Sequence, residues 1–110
     1  RRLFLYTKKS ITESFRIETN PCNPDESPAR FAYVLESPTE VEFRIFTLAG
    51  QEIYARDFPA GSGGGTEGEH IIDWDGRNRD NKPVMNGVYI ASIKLLSTGE
   101  SVRRKIAVVR

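Results

Sequence analysis

The feature that most restricts how this chain can fold is the alternation of apolar and polar residues within short runs. In "EVEFRI", Val41, Phe43 and Ile45 alternate with charged residues, so one face of the segment is apolar. Other runs rich in β-branched and aromatic residues are separated by clusters of Gly, Pro, Asn and Asp. This pattern is typical of strands joined by turns, and no stretch has a convincing helical period. The predicted strands are "RLFLYT", "SFRIET", "ARFAYVL", "EVEFRIFTL", "EIYARDF", "EHIIDW", "GVYIASIKLL" and "SVRRKIAVV".

The connections between these runs carry the residues that tight turns need. "LAGQ" and "LSTGE" place Gly50 and Gly99 where a hairpin requires a positive φ angle. "PAGSGGGTEG" has no side chains to anchor it, so we expect it to be the most mobile part of the chain. About seven or eight short strands with such loops predict an all-β antiparallel sandwich. The predicted core contains Phe43, Ile45, Ile72, Trp74, Tyr89 and Ile93.

Length and charge narrow the class of protein. The 110 residues fit one domain, and the formal net charge of +1 gives no field that would attract nucleic acid or a membrane. Arg103, Arg104 and Lys105 form a basic run, but neighbouring strand residues point to opposite faces, so the run indicates an edge strand protected by charge. We expect a monomeric domain without nucleic-acid partner or membrane insertion. Because the chain begins "RRLFLYTKK", without methionine or signal peptide, we expect it to be part of a longer polypeptide.

Few side chains could support catalysis. Cys22 is the one cysteine, which excludes an internal disulfide and a cysteine-based zinc cluster. A thiol nucleophile would need a histidine partner, and His70, the one histidine, lies in a different predicted segment. His70 and Asp73 stand three positions apart on one predicted strand, so they point to opposite faces. We therefore expect no enzymatic activity, no catalytic residue and no cofactor.

The stretch "EHIIDWDGRNRDNKPVMNGVYIASI" concentrates polar side chains beside the only tryptophan. One interpretation is a calcium loop that begins at Asp73. An EF-hand loop needs an oxygen ligand at its fifth position, a glycine at its sixth and a glutamate at its twelfth. The chain has Arg77, Asn78 and Val84 at those positions. The oxygen donors of this calcium alternative are Asp73, Asp75, Asn78 and Asp80.

The other interpretation of the same stretch is a structural turn. Trp74 then ends a strand and faces inward, Asp75 caps the turn with its carboxylate, and Gly76 adopts a backbone conformation that a side chain would resist. "MNGVY" leads into the next strand through Gly87 and Tyr89. We favour the turn, because it requires fewer coincidences than the metal site.

Two long segments resemble a known family. "SFRIETNPCNPDESPARFAYVLESPTEVEFRIFTLAGQEI" resembles the opening of the FlgD-type immunoglobulin-like domain and of related carboxy-terminal secretion modules. "GEHIIDWDGRNRDNKPVMNGVYIASIKL" resembles their second half, with its "WDG", a polar turn and "GVY". The resemblance implies an immunoglobulin- or fibronectin-III-like sandwich over residues 14–110, with residues 1–13 as a linker or an extra edge strand from a preceding domain. Two departures are Cys22 in "NPCNP", where the family has phenylalanine, and "TLAGQ", which lacks the aspartate before "GR".

The resemblance also implies a function. It indicates a non-catalytic accessory module of a larger secreted or cell-surface bacterial protein, which aids export, anchoring or assembly. Its expected partners are other domains of the parent protein or the secretion and cell-surface machinery. In one branch of the family such domains are sorting signals for type IX secretion, and in another the fold belongs to the flagellar hook-capping protein.

A carbohydrate- or surface-ligand-binding sandwich is the alternative function. Such domains present aromatic side chains on a flat face, so two or more solvent-facing aromatics would favour it. The aromatic residues with polar groups are Tyr6, Tyr33, Tyr54, Tyr89 and Trp74, of which Tyr89 and Trp74 are expected inside.

Overall fold

A computed structural model describes residues 10–110, which form two antiparallel β-sheets. The predicted strand "RLFLYT", with Tyr6, lies outside the described residues. The elements are α1 (Ile11–Ser14), β1 (Arg16–Ile17), β2 (Ala29–Leu35), β3 (Val41–Thr47), β4 (Glu52–Phe58), β5 (Gly68–Trp74), β6 (Gly87–Leu95) and β7 (Ser101–Val108). One sheet has the order β1-β2-β5 and the other the order β4-β3-β6-β7. The predicted all-β antiparallel sandwich is therefore confirmed.

The core lies between the two sheets. All six residues that the alternation assigns to it are buried there, together with residues of β2, β7 and α1. The rings of Phe31 and Phe43 meet edge to face at 5.0 Å and join the two sheets at the centre. Burial of each large apolar side chain contributes roughly 1.5–3 kcal/mol, so this layer accounts for most of the drive to fold.

One helical turn, α1, was not expected from the sequence, which has no convincing helical period. The Ser10 side chain accepts a hydrogen bond from the Glu13 amide, and the Glu13 carboxylate accepts one from the Ser10 amide, which completes a capping box. Ile11 is only 2% exposed and packs into the core. A local cap and one buried side chain therefore stabilise a helix too short to produce a periodic signal.

The loop between β4 and β5 differs from its prediction as an unanchored segment. Gly63–Gly65 form a 3-10 turn that other parts of the chain hold in place. The Tyr33 hydroxyl donates to the Gly64 carbonyl at 2.7 Å, and the Thr39 amide donates to the Gly65 carbonyl at 3.1 Å. The expected lack of anchors was wrong because only side chains within the loop were considered, whereas the anchors come from β2 and from the segment before β3. The mobility of the loop stays a prediction.

The Tyr33 hydroxyl gives this loop a pH-dependent contribution to stability. Burial raises the pKa of Tyr33 from 10.0 to about 12. The protonated hydroxyl therefore stabilises the folded state fully at pH values below the unfolded-state pKa. This stabilisation is lost as the pH rises through the folded-state pKa, which lowers the free energy of unfolding by roughly 2–3 kcal/mol. We expect Tyr33→Phe to cost about 1 kcal/mol at neutral pH and to remove this part of the alkaline loss. Urea denaturation of both proteins from about pH 8 to about pH 12 measures the difference, and parallel profiles would contradict the assignment.

The edge of β7 is covered by a strap, defined here as residues 20–22. The Cys22 amide donates to the Ala107 carbonyl and the Val109 amide donates to the Cys22 carbonyl, both at 2.9 Å. The Asn20 side chain donates to the Lys105 carbonyl at 3.2 Å and accepts from the Ala107 amide at 3.0 Å. The strap thus satisfies backbone groups along the second half of β7.

The basic run and the hairpin glycines lie where the sequence predicts. β7 is an edge strand, and Arg103 and Lys105 are exposed, while the Arg104 guanidinium reaches the Thr12 carbonyl at 2.8 Å. The run therefore divides between the two faces. Gly50 and Gly99 have φ angles of +94° and +78°, a region that favours glycine in tight hairpins.

Candidate functional site

The stretch that the sequence singles out begins where β5 ends. Trp74 is 0% exposed, and its indole N–H donates to the Arg77 carbonyl at 2.9 Å. Its ring lies 6.1 Å from the ring of Tyr54 and 6.3 Å from that of Tyr89. The tryptophan therefore links both sheets and also fixes the turn that follows it.

The next residues form two side-chain-capped turns. The Asp75 carboxylate accepts from the Arg77 amide at 3.1 Å, and the Asn78 side-chain oxygen accepts from the Asp80 and Lys82 amides at 2.9 and 3.1 Å. Asp and Asn side chains that accept hydrogen bonds from the backbone amides after them stabilise turns without a ligand.

Gly76 is required at its position for two reasons. Its φ angle is +75°, and a Cβ atom there would lie 2.6 Å from Cγ of Pro24. A side chain would therefore be strained in its backbone conformation and would also collide with the proline ring.

The four oxygen donors of the calcium alternative do not converge. The Asp73 carboxylate pairs with Arg30 on the neighbouring strand at 2.9 Å, and this hydrogen bond lowers the pKa of Asp73. Asp75 and Asn78 direct their oxygens to backbone amides within their own turns. Within residues 10–110, no three His, Cys, Asp or Glu side chains are grouped closely enough to hold a metal ion.

Arg110 joins this region to the first loop, which sequence reasoning did not predict. Its guanidinium, 19% exposed, donates to the Asp25 carboxylate at 3.2 Å, to the Gly76 carbonyl at 3.3 Å and to the Val84 carbonyl. Its backbone amide donates to the Asn86 side chain at 3.1 Å. The only sequence signal is a basic residue after the apolar strand "KIAVV", which does not indicate what the guanidinium contacts.

We expect Arg110→Ala to lower the free energy of unfolding by roughly 1.5–3 kcal/mol, because it removes charge-assisted bonds that satisfy two backbone carbonyls. Arg110→Lys is the matched control, since it keeps the charge but cannot make the same forked set of bonds. Lysine should recover only part of the loss in a urea titration. An alanine variant as stable as the parent would mean that these contacts contribute nothing.

The second strand of the stretch contributes Gly87 and Tyr89. Gly87 is the first residue of β6, and the Tyr89 hydroxyl donates to the Met85 carbonyl at 2.6 Å. Burial raises the pKa of Tyr89. Tyr89 thus holds the "VMNG" turn against the core.

Among residues 10–110, the aromatic side chains that a carbohydrate site would use are largely inside. Tyr33 and Trp74 are fully buried, Tyr89 is buried and Tyr54 is half-buried. In the described part of the chain, the large apolar side chains that are well exposed are all aliphatic or methionine: Leu48, Ile71, Met85, Val88, Leu96 and Val109.

Cys22 and His70 lie in separate environments. Burial raises the pKa of the Cys22 thiol, and the smaller effect of the Arg110 charge lowers it. The His70 ring nitrogen Nε2 lies 2.7 Å from the Thr66 carbonyl oxygen, whereas Asp73, three residues on, pairs with Arg30. His70 and Asp73 therefore have different partners, as their positions on opposite faces of β5 require.

Comparisons with known proteins relate the chain to solved structures. No protein-family model and no curated protein matches it. It is similar to PorZ of Porphyromonas gingivalis, described as an essential bacterial surface component of the type-IX secretion system, with a TM-score of 0.60 and 22% identity. It is also similar to the crystal structure of dimeric latent PorU from the same organism, with a TM-score of 0.68 and 19% identity.

The matches cover most of this chain but only a small part of PorZ and PorU. Each covers 87% of this chain but only 11% of PorZ and 9% of PorU, so the chain spans about a tenth of either protein. At such identities the likeness shows the fold alone. No helix in residues 10–110 is long and apolar enough to cross a membrane. The chain is therefore a β-sandwich of the kind found within PorZ and PorU.

Proposed function

We propose that this chain is a non-catalytic accessory module of a larger secreted or cell-surface bacterial protein, and that it aids the export of that protein through a type IX secretion route. The observation that carries the proposal is the match of nearly the whole chain to about a tenth of PorZ and of PorU. Because one fold can serve many functions, the role in export is inferred by analogy with these two proteins.

The environments of the polar side chains support a structural module. Asp73, Asp75 and Asn78 each bond to a neighbouring guanidinium or backbone amide, and the lone thiol is buried with a raised pKa. The carbohydrate alternative depends on solvent-facing aromatic rings, and the well-exposed apolar residues of the described part include none. The flagellar hook-cap resemblance remains a prediction from the sequence.

The test is a fusion in Porphyromonas gingivalis. A reporter enzyme with a signal peptide carries residues 1–110 at its carboxy terminus, and surface exposure is measured by protease accessibility on whole cells. We expect the reporter at the surface in cells with a working type IX system and in the periplasm in cells without one. The control is the same reporter without the module. Equal distributions of the two reporters would contradict the proposal.

A further inference from the structure

In the part of the chain that the structure describes, the two sheets have four edge strands, β1, β4, β5 and β7. An edge strand exposes unpaired amide and carbonyl groups, which attract other extended chains, so folded proteins usually protect their edges. β7 is covered along its second half by the 20–22 strap. β1 is only two residues long, and short edge strands offer little to pair with.

β4 has three protective features. Its pairing with β3 is irregular between Ile45 and Phe46, as in a β-bulge. The Arg79 amide donates a hydrogen bond to the Ile53 carbonyl at 3.0 Å, so this carbonyl already has a partner. Arg56 pairs with the buried Phe43 and thus points to the inner side, where its guanidinium lies 4.9 Å from the centre of the Phe58 ring. An inward-pointing charge is a recognised barrier to edge pairing.

Among residues 10–110, β5 has no covering strap, no bulge and no inward-pointing charge, and the carboxylates of Glu69 and Asp73 are the charges on its outer face. The hydrogen bonds of β2 show which backbone groups β5 exposes. The Arg30 carbonyl accepts from the Glu18 amide at 2.8 Å, and the Val34 amide donates to the Ser14 hydroxyl at 3.1 Å, so both residues direct their backbone away from β5. Because the backbone groups of successive residues point to opposite sides of a strand, Phe31 and Tyr33 direct theirs toward β5, where their partners are Ile72 and His70.

The residues between those partners point the other way. Glu69, Ile71 and Asp73 therefore direct their amides and carbonyls outward, and no hydrogen bond to these backbone groups occurs among the described residues. The strand is seven residues long and regular in its pairing with β2.

The exposed side chains of β5 define the chemistry of a partner strand. Ile71, at the centre, is 57% exposed, and Glu69 and Asp73 lie two positions on either side of it. Asp73 pairs with Arg30, whereas Glu69 has no ion-pair partner among residues 10–110. A second copy that paired antiparallel about Ile71 would place Glu69 opposite Asp73, so Glu69 would face another carboxylate instead of a cation, although Arg30 offsets part of the Asp73 charge. Charge complementarity at Glu69 therefore favours a basic segment over a second copy.

We propose that the outer edge of β5 is a docking site for an extended segment of a partner polypeptide. The segment adds to the sheet as a further strand, with an apolar side chain beside Ile71 and basic side chains beside Glu69 and Asp73. This inference goes beyond the proposed role in export and does not depend on it.

Two synthetic peptides and the 110-residue chain test the proposal. The peptide "STRTVTRTS" has the basic, apolar, basic alternation, and "STETVTETS" has the opposite charge at the same positions. We expect the first peptide, at millimolar concentration, to cause saturable shifts of the Glu69, Ile71 and Asp73 amide resonances, and the second to bind at least about tenfold more weakly. Absence of saturable shifts, shifts centred on β4 or β7, or equal binding of both peptides would overturn the proposal.

Substitutions at Ile71 and Glu69 distinguish a peptide that pairs with the backbone of β5 from one that is only attracted to its charged surface. Ile71→Pro should abolish binding and leave the fold intact, because the Ile71 amide makes no bond within the sheet and proline is tolerated at such edge positions. Ile71→Val is the matched control and should bind like the parent. Should the proline variant fail to fold, Glu69→Lys must weaken binding of the basic peptide. A dimer in sedimentation experiments that Ile71→Pro dissociates would overturn the proposal, since the occupant would then be a second copy.

Discussion

Trp74→Ala is expected to lower the free energy of unfolding by roughly 3–5 kcal/mol, the range for removal of a large buried aromatic side chain. Trp74 is fully buried, contacts Tyr54 and Tyr89 across the core and donates to the Arg77 carbonyl. Alanine would leave a cavity and an unsatisfied carbonyl in the turn. Because a domain of this size has a total stability of about 5–15 kcal/mol, the variant should be close to unfolding.

Asp75→Ala is the control for this experiment, because it alters the turn without touching the core. Its carboxylate makes one capping bond, so the expected cost is about 1 kcal/mol. Guanidinium titrations of both variants give the comparison. A Trp74→Ala protein as stable as the parent would show that the indole does not support the core in solution.

Gly65→Ala is the second substitution with a large expected effect, about 3 kcal/mol, at the upper end for overpacking. A Cβ atom at Gly65 would lie 2.0 Å from the Pro59 carbonyl oxygen and 2.8 Å from that of Thr39. Both contacts are with backbone atoms, so no side chain can rotate away. The Gly65 carbonyl also accepts the Gly61 and Thr39 amides, which would have to shift with it.

Gly61→Ala provides the comparison within the same loop. Gly61 has a φ angle of +76° but no atom within 4 Å of the added Cβ, so only the backbone strain of about 1–2 kcal/mol applies. Thermal melts should therefore rank Gly65→Ala as clearly less stable than Gly61→Ala. The reverse order would mean that the loop is not packed as described.

The strands could be predicted from the sequence because their signal is local. "ARFAYVL" and "EIYARDF" coincide with β2 and β4, since alternation and flanking turn residues specify where a strand begins and ends. The positions of Trp74 and Asp75 follow from the same local chemistry. The pairing of Asp73 with Arg30 could not be derived in this way, because it depends on which strand lies beside β5.

The contacts that sequence reasoning missed are made between distant parts of the chain. Gly64 is held by Tyr33, and Arg110 contacts Asp25 in the loop between β1 and β2 and Gly76 in the loop after β5. Nothing in the sequence around any of these residues indicates its partner. The edge position of β5 is also a property of the assembled sheets, because it follows from the order of the described strands and not from the sequence of β5 alone.

The 20–22 strap has a consequence for the order of events in folding. Its bonds from Asn20 to Lys105 and Ala107 span 85 and 87 positions of sequence, and contacts of such separation are slow to form. The same strap contains Cys22, the one thiol of the chain, which is buried only when the strap lies on β7. The reactivity of the Cys22 thiol during refolding therefore reports when the strap closes over β7. Tryptophan fluorescence separately reports the burial of Trp74 at the end of β5.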